Sequence, residues 1–151
     1  MRKTITTLLV LIVLNHANGQ KIFTSDITHF WIAYDSIQKV DSTKNELLET
    51  LFLSKKTEGL TAFMQIKHFD SADYLTVIER YPQFWNSIRP NTFIDSKKIK
   101  TVTRALARLK KRYPNHSKGN IYYTIGTLKS GGTTHDEDLL LGIEKIVGDE
   151  N

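Results

Sequence analysis

The sequence predicts a predominantly helical protein of the α+β class, with five or six helices followed by one C-terminal β-hairpin. Between residues 25 and 113, apolar side chains recur every three or four positions, which is typical of amphipathic helices. Two later runs, 121–126 and 139–144, are rich in β-branched, aromatic and aliphatic residues and flank a Gly-Gly turn signal. Everything before this hairpin is predicted to be helical. Upstream helices or additional structure would therefore have to cover it.

The first residues are typical of a secretory signal peptide. Met1, Arg2 and Lys3 precede an apolar run at 5–14, and small and polar residues follow at 15–19. The apolar run is about ten residues long, whereas a stable transmembrane helix needs about 20. A cleaved signal is thus favoured over a retained anchor. The predicted organisation is a signal peptide at 1–19 and a folded region at 20–151, with no stable membrane span after cleavage.

Composition narrows the class of protein further. The chain has no cysteine, which excludes disulfides and a lipid-modified cysteine. Together with the signal peptide, this predicts a periplasmic or extracellular protein that is not a lipoprotein. The net charge of +5 falls to +3 once the two basic residues of the signal are removed. So small an excess does not indicate a nucleic-acid partner.

Helix starts are predicted from residues that accept hydrogen bonds from the first free backbone N–H groups. Pro82 is expected to end or bend the fourth helix. The predicted caps are Ser25 or Asp26 for the first helix, Thr43 with Glu46 as a capping box for the second, Thr57 for the third, and Asp70 or Ser71 for the fourth.

The segment 81–92 is dense in aromatic residues and contains Pro82 and Pro90. It is predicted to form a single short helical turn between two corners. An aromatic groove for a peptide or glycan is the alternative, but aromatic residues at helical spacing more often belong to the core. We therefore expect Phe84, Trp85 and Ile88 to fill the core.

The longest helix is predicted at 96–113. One face carries apolar residues and the opposite face carries a basic stripe, which we expect to be a solvated helix face because exposed aromatic residues are not interleaved with it. The apolar residues are Ile99, Val102, Leu106, Leu109 and Tyr113, and the basic residues are Lys97, Lys100, Arg104, Arg108 and Lys111.

Few residues directly indicate a catalytic, phosphate-binding or metal-binding site. The run from Lys129 to Thr133 superficially resembles a phosphate loop but lacks the required order of glycines and lysine and a following helix. His135, Asp136, Glu137 and Asp138 could each bind a metal. Neighbouring side chains in an extended loop point in different directions, however, so a solvated acidic loop is expected.

The helix around Trp31, the segment 81–92 and above all the strand, turn and strand of 121–144 resemble a family of exported zinc-dependent peptidases related to gliding-motility lipoprotein B. The similarity covers most of the folded region. Its most specific part is the Ser-Gly-Gly-Thr-Thr turn together with the Gly-x-Glu ending. The resemblance implies the N-terminal part of a gluzincin-like fold, with substrate-binding residues Gly131, Gly132, Thr133, Gly142 and Glu144.

In that family the hairpin precedes a helix bearing His-Glu-x-x-His, whose histidines bind zinc. This sequence contains no such motif and no cysteine. The resemblance therefore implies a substrate-side region whose strand 139–144 pairs with an extended peptide, inactive alone and without its own zinc or other cofactor. The alternative is a non-catalytic envelope protein that binds a partner strand through the hairpin edge. The isolated chain is expected to self-associate through an uncovered hairpin, and a stable monomer would favour the non-catalytic alternative.

Overall fold

The computed structural model describes residues 20–115 and 118–148, so the predicted signal peptide lies outside the described residues. The α+β, mainly helical class is confirmed. None of the described helices is both long and apolar enough to cross a bilayer. The helices are α1 (Ser25–Ile37), α2 (Lys44–Leu51), α3 (Glu58–Lys67), α4 (Ser71–Arg80), α5 (Pro82–Thr92), α6 (Ser96–Arg112) and α7 (Ile143–Ile146), with a 3-10 turn at Leu53–Lys55; the strands are β1 (Ile22–Phe23), β2 (Ile121–Thr124), β3 (Gly132–His135) and β4 (Asp138–Gly142).

The predicted strand pairing is wrong in one respect. The two apolar runs form β2 and β4, but these strands are parallel neighbours and not the two arms of a hairpin. The chain leaves β2, passes over the end of β4, returns as β3 and then enters β4, so the true hairpin is β3 with β4. The sheet order is β1-β2-β4-β3. Parallel pairing needs a crossover connection, and the segment 125–131 with β3 supplies it.

A further correction concerns the residues before α1, which were predicted to contain no strand. Ile22 and Phe23 form β1, which pairs in parallel with β2. The Phe23 ring stacks on Tyr122 with centroids 4.6 Å apart, and Ile121 N donates to Lys21 O at 2.9 Å. The start of the described chain is thus held in the sheet.

Two of the four predicted helix caps are confirmed. Thr57 accepts a hydrogen bond from Leu60 N at the start of α3, and Asp70 forms a capping box with Asp73 at the start of α4. The box predicted at Thr43 is absent, because Thr43 has a left-handed backbone and its hydroxyl bonds Ser42 O. Asp26 also does not cap its helix: its carboxylate accepts from Thr57 N and Thr57 Oγ1 at 3.0 and 2.6 Å. It therefore joins α1 to the start of α3.

The segment after Pro82 is a helix of 11 residues, longer than the single turn predicted. Pro82 stands in its first turn, where a missing N–H costs nothing. Pro90 lies in its last turn. Burial of Trp85, Ile88 and Thr92 stabilises this helix despite the second proline.

Aromatic residues dominate the core, as predicted. Phe30, Trp31, Phe52, Tyr74 and Trp85 are buried, and most of their ring contacts are edge-to-face or tilted. Phe84 is only half-buried and packs against Trp85. Helices α1, α2, α4 and α5 surround this cluster, and α1 and α3 connect it to the sheet.

One buried polar contact in the core provides a test of the packing. Trp31 Nε1 donates to Thr92 Oγ1 at 2.9 Å, and both residues are buried. Replacing Thr92 with valine keeps the shape and leaves the indole N–H unpaired, so we expect a loss of about 1–2 kcal/mol in the free energy of unfolding. Urea denaturation measures this loss. Thr76→Val is the matched control because that hydroxyl bonds Ala72 O on an exposed surface; equal losses in the two variants would contradict the assigned contact.

Candidate functional site

The candidate site lies where β2 and β4 end. Parallel strands bring their carboxyl ends to one edge of a sheet, and here Thr124 pairs with Gly142 at that edge. The segment 125–131, called the crossover loop below, passes over this edge before β3 begins. Glu144 comes two residues after the end of β4 and lies beneath the loop.

Glu144 is fully buried. Leu128 N donates to its Oε1 at 3.4 Å, while Oε2 has no hydrogen-bond partner within the part of the chain that the structure describes. Burial raises the pKa of this carboxyl from 4.5 to about 7, although the nearby amides of Gly126, Glu144 and Leu128 and the charge of Lys145 act in the opposite direction. The group can therefore exchange a proton near neutral pH, which is a property of many functional carboxyls.

Two further side chains fix the crossover loop. Tyr74 Oη donates to Ile125 O at 2.6 Å from the buried side. Burial raises the pKa of Tyr74, and the Glu144 charge adds to this effect. Lys129 Nζ binds His68 O at 2.8 Å and Asp73 Oδ2 at 2.9 Å, so both ends of the loop are tied to α4 and the residues before it. The ion pair with Lys129 lowers the pKa of Asp73.

The loop also contains a strained residue. Leu128 has a φ of 61°, in the left-handed region that costs a non-glycine residue roughly 1–2 kcal/mol. Its N–H points to Glu144 Oε1, so the buried carboxyl helps to hold the strained conformation. The Oγ1 atom of neighbouring Thr127 is buried and has no partner among the described residues. Strain and unpaired polar atoms of this kind often cluster at functional sites.

The five residues predicted to bind substrate fall into two groups. Gly142 and Glu144 lie beside the last residue of the crossover loop, Gly131, whose carbonyl oxygen accepts a hydrogen bond from Gly142 N at 3.1 Å. A methyl group at Gly142 would lie 2.6 Å from Ser130 O and 3.3 Å from Glu144 Oε2, so this close approach requires glycine. Gly132 and Thr133 lie on β3, opposite Leu141 and Leu140 of β4.

The strand predicted to pair with a peptide cannot do so. The run 139–144 was predicted to offer an edge, but β4 is bonded to β2 on one side and to β3 on the other, and Ile143 and Glu144 already belong to α7. Backbone groups of a paired strand are not free for a third strand. Within the described residues, β3 is the edge strand on that side of the sheet.

Along β3, residues that are hydrogen-bonded to β4 alternate with residues whose backbone N–H and C=O groups point outward. Because Gly142 N donates to Gly131 O, Thr133 and His135 pair with β4, and Gly132 and Thr134 direct their backbone groups away from it. Ser130 Oγ donates to Gly132 O at 3.0 Å and lies 3.3 Å from Gly132 N. Thr134 is exposed. The outer side of β3 is thus satisfied locally at Gly132 and open at Thr134.

Sequence reasoning missed the residues that anchor the loop. Tyr74 and Lys129 act through partners 51 and 56 residues away in the chain, so no local spacing indicated them. Ser130 was part of the Ser-Gly-Gly turn but was not predicted to contact Gly132. The run from Lys129 to Thr133 leads into strand β3 and not into the helix that a phosphate loop requires.

The acidic residues after β3 form the turn of the true hairpin. His135, Asp136 and Glu137 are exposed, as predicted, while Asp138 is half-buried and accepts from Asn120 N at 2.6 Å. The three acidic residues, but not His135, line part of a cavity of about 470 Å³ together with Lys21 and Lys118. No group of three or more potential metal ligands occurs among residues 20–115 and 118–148.

Comparisons with known proteins add no assignment. No family model matches this chain, and no match was found among curated proteins or solved structures.

Proposed function

We propose that this chain is the substrate-side region of an exported, zinc-metallopeptidase-like protein, and that it binds an extended peptide along β3. The observation that carries the proposal is the outer side of β3, which no described strand covers. An extended peptide can add to such an edge through backbone hydrogen bonds. The family part of the proposal rests on the resemblance of 121–144, whose Ser-Gly-Gly-Thr-Thr run includes the first residues of β3.

The surroundings of β3 suit such a role. Tyr74, Glu144 and Lys129 fix the crossover loop that leads into the strand. A rigid loop reduces the conformational entropy that a bound peptide would otherwise have to remove. Ser130 satisfies Gly132 in the free protein, and its hydroxyl can rotate away when a peptide arrives. The chain has no His-Glu-x-x-His sequence, so the proposal assigns it no catalytic residue and no zinc of its own.

Replacing Thr134 with proline tests the edge. Proline removes the outward N–H of Thr134 and is tolerated on edge strands. We expect the affinity for the acetylated, amidated pentapeptide Thr-Val-Thr-Val-Thr to fall about tenfold. This is the effect of losing one hydrogen bond whose net contribution is at the upper end of the usual range. Titration followed by backbone amide NMR shifts on the full chain measures the affinity and shows which strand responds.

Two variants serve as controls for this test. Thr134→Val keeps the N–H and should bind as the unaltered protein does. Ser130→Ala frees Gly132 and should bind slightly more tightly. Equal affinity of Thr134→Pro and Thr134→Val, or amide shifts away from β3, would rule out peptide addition at this edge.

The non-catalytic alternative uses the same edge to bind a partner strand. The gene sequence after residue 151 distinguishes the two functions. A His-Glu-x-x-His segment there supports the peptidase, and in that longer protein Thr134→Pro should raise KM for a peptide substrate. An end without that motif supports the envelope interaction protein.

A further inference from the structure

Helix α6 differs from the other described helices because none of its residues is buried. Its large apolar residues lie within one arc of the helical wheel, which Tyr113 extends just after the helix ends. Ile99, Val102 and Leu106 are half-buried, whereas Leu109 and Tyr113 are 41% and 57% exposed. The predicted apolar face is therefore present but only partly covered by the rest of the protein.

The charge of α6 is equally one-sided. The helix contains eight Lys and Arg residues and no Asp or Glu. Lys100, Arg104 and Lys111 lie on the side opposite the apolar arc, while Lys98 and Lys110 lie at its borders. A helix with a cationic face, a narrow apolar face and low mean hydropathy is typical of segments that lie in the interface of a membrane.

We propose that α6 docks on the surface of an anionic lipid bilayer. The exposed side chains of Leu109 and Tyr113 would enter the headgroup boundary, and the basic residues would contact anionic headgroups. Charge complementarity selects this occupant, since the helix offers eight cations with no acidic residue to offset them. The N-terminal segment 1–19 of the chain is less suited to cover α6, because it carries Arg2 and Lys3 and has no acidic residue to pair with the basic helix.

Nucleic acid would account for the cations but not for the apolar face. Phosphate contacts need basic residues alone, whereas a bilayer also buries exposed apolar surface. The exposed part of Leu109 is therefore the feature that separates the two partners. This inference does not depend on peptide binding at β3.

Co-sedimentation of the full chain with lipid vesicles tests the proposal. We expect binding to vesicles of phosphatidylcholine mixed with phosphatidylglycerol, and weaker binding to phosphatidylcholine alone. The double substitution Lys110→Gln and Arg112→Gln, at exposed positions on either side of Leu109 and Tyr113, should lower the partition coefficient roughly 30-fold, because each basic residue near an anionic surface contributes about fivefold. Leu109→Ser should lower it roughly fivefold through lost apolar contact.

Matched substitutions outside α6 provide the controls. Lys39→Gln with Lys55→Gln removes the same charge from exposed positions, and Ile32→Ser removes an apolar side chain that is 46% exposed. Both should leave α6-dependent partitioning within about twofold of the unaltered chain. Binding that all variants share would assign it to the apolar run 5–14 and overturn the proposal. Absence of vesicle binding, or tight binding to duplex DNA that Leu109→Ser does not weaken, would also overturn it.

Discussion

Replacing Glu144 with glutamine is expected to raise the free energy of unfolding by about 3 kcal/mol above pH 7 and to change it little below pH 4.5. The side chain is fully buried, and burial raises the pKa of its carboxyl from 4.5 to about 7. Glutamine has nearly the same shape and keeps an oxygen for Leu128 N. It cannot ionise, so the desolvation of a buried charge is removed.

The sign of the pH dependence follows from the raised pKa. Between pH 4.5 and about 7 the unfolded chain releases the Glu144 proton while the folded chain retains it, so the unaltered protein loses stability as the pH rises. Above about pH 7 both states are ionised and the loss is complete. The contribution of Glu144 is therefore most favourable in acid, opposite to that of a carboxylate in an ion pair.

Urea unfolding of both proteins across this pH range measures the difference. Asp26 is also buried with a raised pKa, mainly through burial, but it is present in both proteins and its contribution cancels in the comparison. Glu49→Gln, at an exposed position of α2, is the matched control for the loss of one carboxyl group and should change the free energy of unfolding little. A Glu144→Gln profile parallel to that of the unaltered chain would show that Glu144 does not carry the titration.

Local signals in the sequence predicted most helices and failed for the sheet, and the reasons differ. Thr57 and Asp70 were predicted correctly because a cap depends on residues two or three positions away. Thr43 failed because its hydroxyl bonds Ser42 O instead, a choice that the residue type does not determine. The residue pattern within one segment therefore predicts a hydrogen bond reliably only where both partners lie in that segment.

Strand pairing is a long-range property, and two features hid it. The β3 sequence, Gly-Thr-Thr-His, has no apolar alternation because an edge strand with exposed residues needs none. The β1 strand has two residues, too few for any period. With β3 unrecognised, β2 and β4 were the two remaining candidates for a hairpin, although the loop between them allowed a parallel crossover equally well.

The candidate site was predicted only in part for a related reason. Gly142 and Glu144 are near neighbours in sequence, and the resemblance of the Gly-x-Glu ending indicated both. Glu144 is buried beneath the crossover loop, and that loop is anchored by Tyr74 of α4 and by its own Lys129. Burial is what gives the carboxyl its raised pKa, so its chemistry could not be read from residue type alone.

Replacing Gly59 with alanine is expected to destabilise the fold by roughly 1–3 kcal/mol, although the same change in a helix ordinarily stabilises by up to about 1 kcal/mol. Gly59 lies in the first turn of α3, where the helix meets β2. A methyl group there would lie 2.1 Å from Tyr122 Cγ and 2.6 Å from Tyr122 Cβ. Tyr122 is buried and stacked on Phe23, so the ring has little freedom to move and α3 would have to separate from the sheet.

The sign of this change distinguishes close packing from ordinary helix propensity. Gly131→Ala is the matched control, since its added methyl group would lie 3.6 Å from Lys145 Cβ, an ordinary contact distance, and Gly131 has no positive φ. We expect that variant to remain within about 0.5 kcal/mol of the unaltered protein. Urea denaturation followed by the helical circular-dichroism signal measures both variants. A gain in stability for Gly59→Ala would mean that α3 and β2 are separated by enough space for a methyl group, and that the sheet, with the crossover loop above it, is not fixed by contact with this helix.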